Sequence, residues 1–310
     1  MTLAILCSGQ GRQHPEMFTL TGEVSEAAGL FAHATGLLGG RDPREMVRQD
    51  CSEEFHRNRP GQILCTLQAV SAAAALGPSI PHRLIVAGYS IGEVAAWGVA
   101  GMFPLTDTLD IAARRAEIMD AYSHPDDGLL FIRGLSRANI EALCARYGAG
   151  IAIINPGDAF VLGGNRTALG ALSNEAKATA GTRVVDIPVD VASHTDALTL
   201  ASPAFRDVLR HSTVAAAPAG DVRLLSGIDG TAVINLEAGL DKLALQISHT
   251  VHWASCLQGC IEGGATAFLE LGPGGALSEM ARGAYPDVSS RSLEDFRSVQ
   301  GVRSWIEQQI

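Results

Sequence analysis

The segment Gly88-Tyr89-Ser90-Ile91-Gly92 carries the clearest chemistry in the sequence. It follows the apolar run Leu84-Ile85-Val86-Ala87, which reads as a buried strand, and precedes a helical stretch from Glu93 to Ala100. A serine on such a sharp strand-to-helix turn is held with its hydroxyl exposed at the strand end, and small residues two before and two after it let the backbones pass. The helix beginning there offers free N–H groups and the positive end of its dipole, both of which favour a developing negative charge. Ser90 is therefore the candidate nucleophile, with the N–H of Ile91 as one oxyanion donor. A GxSxG run alone also arises as a plain glycine turn; the flanking strand and helix favour the nucleophile.

A neutral serine needs a base, and nine histidines are available. His194, in Val189-Asp190-Val191-Ala192-Ser193-His194, is the best placed, although spacing does not choose it over His249 or His252 and a surface-turn histidine would look the same. In the simplest triad, Asp190 or Asp196 would orient it. His249, His252, Cys256 and Cys260 would share one face if their stretch were a single helix, and the residue types suit zinc. Structural zinc sites usually close a loop with short cysteine pairs. The expectation is therefore two core cysteines, two histidines at a helix start and no metal.

The elements that must position these groups alternate between strand and helix. Leu3–Cys7 is a short apolar strand ending in Gly9-Gln10-Gly11, Ile63–Leu76 an alanine-rich buried helix, and Thr106–Tyr122 a helix that Thr106 or Asp107 can cap. This rhythm predicts a parallel sheet with helices on both faces. After Tyr122 the texture changes. A turn cluster at 123–128 is followed by strand, helix, strand, strand, helix and strand, ending at Ile187, with Asn155-Pro156-Gly157-Asp158 as the hairpin-like turn. That order is the ferredoxin-like split unit. The expected fold is α/β: an α/β-hydrolase-like parallel-sheet main domain over residues 1–123 and 188–310, with a ferredoxin-like subdomain inserted at 124–187. Phe268–Gly275 reads as a last strand running into a glycine turn.

Composition excludes several classes. With 47% hydrophobic and 18% charged residues the 310-residue chain can bury a large core. No apolar run approaches the roughly 20 residues a membrane helix needs, and the start, Met1 to Cys7, lacks a charged leader and reads as strand instead of signal peptide. Cys7, Cys51, Cys65, Cys144, Cys256 and Cys260 form no CxxC pair, which predicts reduced thiols in a cytoplasm. The formal charge of −10 argues against a nucleic-acid binder. Arg41, Arg44, Arg48, Arg57 and Arg59 cluster among Asp42, Glu45, Asp50, Glu53 and Glu54, as either a solvated, balanced face or a docking patch for an acidic partner.

Several motifs recur in order over nearly the whole chain, and together they resemble the malonyl-CoA:acyl carrier protein transacylases, discrete and polyketide-synthase acyltransferases included. Gly9-Gln10-Gly11-Arg12-Gln13 resembles the family's GQGxQ, Gly88–Glu93 its GHSxGE, and Arg115–Met119 its RGxxM segment. Asn155-Pro156-Gly157 resembles the NSP turn, Val191–His194 the segment bearing the catalytic histidine, Gln246–Trp253 QLxNPVxW, and Glu270–Gly274 ExGPG. The resemblance implies Ser90 as the acylated nucleophile and His194 as its base. It implies a backbone carbonyl near Gln246–His249 as the histidine's partner, and the N–H groups of Gln10 and Ile91 as oxyanion donors. Arg115 would hold the free carboxylate of a malonyl group, with Asn155, Gln246 and His249 also lining the substrate site. Without the resemblance, Arg114 could equally be the buried residue. The implied substrates are malonyl-CoA and an acyl carrier protein or carrier subunit, with coenzyme A entering as a thioester substrate and no permanently bound cofactor.

The departures from the pattern are Tyr89 for the usual histidine, Ser8 for a common proline, His249 for asparagine and Thr250 for proline. Val191-Ala192-Ser193-His194 matches neither the YASH of many methylmalonyl-selecting members nor the HAFH of many malonyl-selecting ones; malonyl is favoured. A discrete protein with these departures is also similar to the epsilon subunit of malonate decarboxylase, a malonyltransferase that loads a dedicated carrier subunit. A serine thioesterase, with water as acceptor, and a binding protein with a relic site complete the alternatives.

Overall fold

In the computed structural model, which describes residues 2–49 and 52–309, nine strands divide between two sheets. They are β1 (Leu3–Cys7), β2 (Arg83–Gly88), β3 (Asp127–Arg133), β4 (Gly150–Asn155), β5 (Ala159–Asn165), β6 (Arg183–Ile187), β7 (Asp221–Leu224), β8 (Ala267–Leu271) and β9 (Ser289–Ser292). The larger sheet is parallel throughout, in the order β7-β2-β1-β8-β9. Its three central strands are almost entirely buried. Strands covered on both faces must be nearly continuous apolar runs, as Leu3–Cys7 and Leu84–Ala87 are. The edge strands, Asp221–Leu224 and Ser289–Ser292, are polar, which discourages pairing with another chain.

The smaller sheet is antiparallel, β4-β5-β3-β6, with the helices Arg137–Tyr147 and Arg166–Lys177 between its strands. That is the ferredoxin-like order expected from the local pattern. It has its own core, in which Leu130, Ile132 and Phe160 of the sheet meet Ile140, Leu143 and Leu172 of the helices. The sheet is tied to the rest of the chain at β4. Val251 bridges Ile153, its N–H donates to the Ala152 carbonyl and its own carbonyl accepts from Ile154, each at 2.9 Å. The Thr250 hydroxyl donates to the Ile151 carbonyl at 2.7 Å.

One expected cap is wrong. The helix Leu105–Tyr122 starts behind Pro104, which caps it without a side-chain hydrogen bond. Thr106 and Asp107 therefore lie inside the first turn, and the Thr106 hydroxyl turns to Asp107 instead. Within the arginine-rich stretch Arg41 pairs with Glu54 and Arg44 with Asp42 at 2.6 Å, while Arg59 reaches outside it to Glu117 at 2.9 Å. Asp50, Cys51 and the Glu53 side chain lie outside the described residues. The other five cysteines are buried free thiols.

Candidate active site

β2 ends at Gly88 and the helix Gly92–Val99 begins four residues on. A Cβ on Gly88 would stand 2.1 Å from the Gly92 carbonyl oxygen, and one on Gly92 would stand 2.1 Å from that of Cys7. Only glycine fits at either place. Between them Ser90 is held at φ 56°, in the left-handed region that side chains avoid. His194, at φ 63°, is one of only two other described non-glycine residues with positive φ. Strain of this kind persists where the surroundings over-determine it, and it concentrates at functional sites.

These two residues meet. Ser90 Oγ lies 2.7 Å from His194 Nε2. The imidazole is 1% exposed, and its Nδ1 lies 2.5 Å from the Gln246 carbonyl oxygen. A carbonyl can only accept, so Nδ1 carries the proton and Nε2 is free to take one from Ser90. The His194 backbone N–H donates to the Ile247 carbonyl at 2.7 Å, fixing the same two strands of chain together. Burial, reinforced by the nearby Arg115 charge, pulls the His194 pKa down to about 3. The ring is thus a neutral base at any ordinary pH. Neither aspartate expected from triad logic takes part: Asp190 pairs with Arg166 and Asp196 is exposed. A neutral carbonyl orients the ring without bringing a second charge into a buried site. In a histidine-selective NMR titration, one of the nine imidazoles should keep a neutral, Nδ1-protonated signature down to pH 5, and that signal should vanish in His194→Asn. A His194 resonance titrating near 6.5 would contradict the burial described here.

Arg115 is also 1% exposed, whereas its neighbour Arg114 lies on the surface and pairs with Glu117 at 2.8 Å. Arg115 Nη1 donates to Gln62 Oε1 at 2.7 Å and Nη2 to Gln246 Oε1 at 3.0 Å. Its Nε has no partner among the described residues. Burial lowers its pKa to about 10, partly offset by Glu93, so it stays charged at neutral pH. Both direct partners are neutral amides, and no described carboxylate reaches the guanidinium. The result is a buried cation whose counter-charge has yet to arrive. A carboxylate is the group that a planar guanidinium fork binds best.

The other candidates sit at varying distances from this cluster. The loop carrying Gln10 comes close to the nucleophile because Gly9 has no side chain: a Cβ there would lie 2.7 Å from the Tyr89 carbonyl oxygen and 3.5 Å from Ser90 Cβ. The backbone N–H groups of Gln10 and Ile91 have no acceptor among the described residues. The Gln10 side chain turns away, to the Asn58 carbonyl at 3.3 Å. Asn155 is 5% exposed, and its Oδ1 has no hydrogen-bond partner among the described residues. The Tyr89 ring stands edge-on to Trp253, centroids 5.4 Å apart. His249 is exposed and folds back onto the Leu245 carbonyl at 3.1 Å. Cys256 and Cys260 are buried, and among the described residues no group of His, Cys, Asp and Glu is arranged to hold a metal.

Sequence reasoning missed Gln62. Its amide accepts from Arg115 and donates to Asn58 Oδ1 at 2.7 Å, and Asn58 in turn donates to Asp120 at 2.8 Å. The helix begins at Asn58, before the Ile63–Leu76 run that outlines it in the sequence, so Gln62 falls on its buried face, where a polar side chain must be satisfied by something.

A serine hydrogen-bonded to a neutral, carbonyl-clamped histidine at the end of a parallel strand is the arrangement found in enzymes of the acyl-serine class. No family model matches the chain. The malonyl CoA-acyl carrier protein transacylase of Mycobacterium tuberculosis is 28% identical over 296 residues, covering 94% of this chain and 96% of that protein. The crystal structure of MCAT from the same organism superposes with a TM-score of 0.86 at 25% identity, over 98% of this chain and 100% of that one. The polyketide synthase GfsB of Streptomyces halstedii is 28% identical over 98% of this chain, which spans about 5% of the synthase's length. In sequence and fold together, and over nearly its whole length, the chain is similar to the malonyl-CoA:acyl carrier protein transacylases.

Proposed function

We propose that this protein moves a malonyl group from coenzyme A to the phosphopantetheine-type thiol of a carrier protein, in two half-reactions through an acyl-enzyme on Ser90. In the first, Ser90 Oγ attacks the thioester carbonyl while His194 Nε2 takes its proton. The oxyanion is received by the N–H groups of Gln10 and Ile91, and the proton passes to the departing coenzyme A sulfur. In the second, the carrier thiol gives its proton to the same nitrogen and attacks the ester, and Ser90 leaves with that proton restored. Removing one oxyanion donor typically costs about 10²–10³ in rate. No cofactor enters either step.

The observation that carries the malonyl reading is Arg115, buried, charged and facing only neutral amides. A neutral acyl chain would leave that cation unpaired. The cleft between the inserted unit, residues 124–187, and the main unit, residues 1–123 and 188–310, would shield the ester from water and favour a thiol acceptor over hydrolysis. Among the described residues no helix is long and apolar enough to cross a membrane, and we place the reaction in the cytoplasm.

Arg115→Ala should lower malonyl transfer by roughly 10²-fold or more, the scale of a lost charge-assisted contact, and leave acetyl transfer nearly unchanged. The ratio is read by intact-mass spectrometry of the acyl-enzyme after offering malonyl-CoA and acetyl-CoA in turn. Equal losses would remove Arg115 from substrate recognition. Release of free malonate without carrier loading would make the enzyme a hydrolase. Malonylation of Ser90 that passes to a malonate-decarboxylase carrier subunit and not to an acyl carrier protein would assign the dedicated partner.

A further inference from the structure

Glu93 is a fully buried carboxylate beside the site that the reaction above does not use. Its Oε2 accepts from Gln246 Nε2 at 2.7 Å, and the same nitrogen donates to the Ser90 carbonyl at 3.0 Å. On the other side of that amide, Oε1 accepts from Arg115 at 3.0 Å. Gln246 is thus a hub. Its side chain touches the nucleophile's backbone and the arginine, and its main-chain carbonyl orients His194.

A glutamine amide has a donor end and an acceptor end, and its orientation follows from its neighbours. Here two acceptors, the Glu93 carboxylate and the Ser90 carbonyl, face the donor end. A guanidinium, which can only donate, faces the acceptor end. Turned over, the amide would set NH₂ against guanidinium and oxygen against oxygen. The Ser90 carbonyl already accepts from the Glu93 backbone N–H at 3.0 Å, so its hold on the amide is shared. Glu93 carries the remaining preference, and its charge faces Arg115 through one intervening amide without occupying the guanidinium.

We propose that Glu93 is a positioning residue for substrate selection: by locking the Gln246 amide with its oxygen toward Arg115, it keeps the guanidinium oriented and open for the carboxylate of the incoming acyl group. The proposal rests on the reading of Arg115 as the carboxylate anchor. It explains why the arginine is steadied by amides: a carboxylate in direct contact would hold it equally well but would fill the place the substrate needs. Burial pushes the Glu93 carboxyl up to about 7, and the Gln246 and Arg115 contacts oppose that rise.

The test compares wild type, Glu93→Gln, Arg115→Ala and the double variant, each with malonyl-CoA and acetyl-CoA. Glu93→Gln preserves shape but supplies a side chain that can donate, so the Gln246 amide loses its preference. The expected result is a KM for malonyl-CoA raised about tenfold with kcat within threefold, and acetyl-CoA kinetics nearly unchanged. A general packing defect would instead depress both substrates alike, and that outcome overturns the proposal. In the Arg115→Ala background, Glu93→Gln should change the malonyl-to-acetyl ratio no further; an undiminished second effect would show that Glu93 does not act through Arg115. If Arg115→Ala leaves the ratio untouched, the anchor reading itself fails and the proposal falls with it, a pattern distinct from failure of Glu93→Gln alone. Should Glu93→Gln not fold, Gln246→Met cuts the same link from its other end while keeping the carbonyl that His194 uses. An unchanged ratio there also overturns the proposal.

Discussion

Ser90→Ala should abolish covalent capture of malonyl from malonyl-CoA and reduce transfer to the level of the uncatalysed exchange. Removing the nucleophile of a serine enzyme costs about 10⁶ in turnover, and about as much as removing its whole catalytic group together, because nucleophile and base act as a unit. The loss should not reflect unfolding. Alanine occupies φ 56° no less comfortably than serine, and the two glycines that make the turn possible are untouched. Nor is a substitute nucleophile at hand. Cys7, whose carbonyl the turn packs against, is fully buried with its thiol pKa driven far up by desolvation and by Glu270, so it supplies no thiolate. Intact-mass spectrometry after a short exposure to malonyl-CoA gives the answer directly. Stoichiometric acylation persisting in Ser90→Ala would place the nucleophile elsewhere.

Loss of His194 should cost a comparable factor, on the order of 10⁶, because nucleophile and base act as a unit and the same nitrogen would serve both half-reactions. The choice of replacement matters. At φ 63° an alanine would be strained, whereas asparagine tolerates the left-handed region. His194→Asn is therefore the cleaner variant, and its folding can be checked by thermal unfolding beside wild type. Single-turnover kinetics should show acylation and deacylation slowed together. If only one half-reaction slows, a second base must serve the other, and His249 would be the first to examine. Its present contact with the Leu245 carbonyl gives no sign of such a role.

The strand–turn–helix that holds Ser90 was readable in the sequence because everything that makes it is local. A buried strand, two glycines and a helix start lie within about fifteen residues, and steric necessity links them. The inserted sheet was readable for the same reason, its strands and helices following in unbroken order. The partner of His194 was not readable from spacing. It is a backbone carbonyl 52 residues away, and every residue has one; only the resemblance to a known family pointed there, and a charge-based search pointed to Asp190 and Asp196. Arg114 and Arg115 are adjacent on one helix, so which of them is buried depends on packing against the helix Asn58–Leu76, which adjacency in sequence does not reveal. Gln62 stands one residue before the apolar run that outlines its helix, and its partner Arg115 is 53 positions away. The pairing of β1 with β8 joins residues 264 apart and has no local trace.

The segment from Gln246 to Val251 is six residues long. At one end its carbonyl accepts the hydrogen bond of His194 Nδ1–H, and at the other its backbone extends the edge of the smaller sheet at β4. A chain this short has almost no slack. A displacement of the small sheet would pull on this tether, which ends at the carbonyl that orients the imidazole. A substitution in the joint at Thr250, whose hydroxyl holds the Ile151 carbonyl, is therefore expected to change the timing between the two half-reactions.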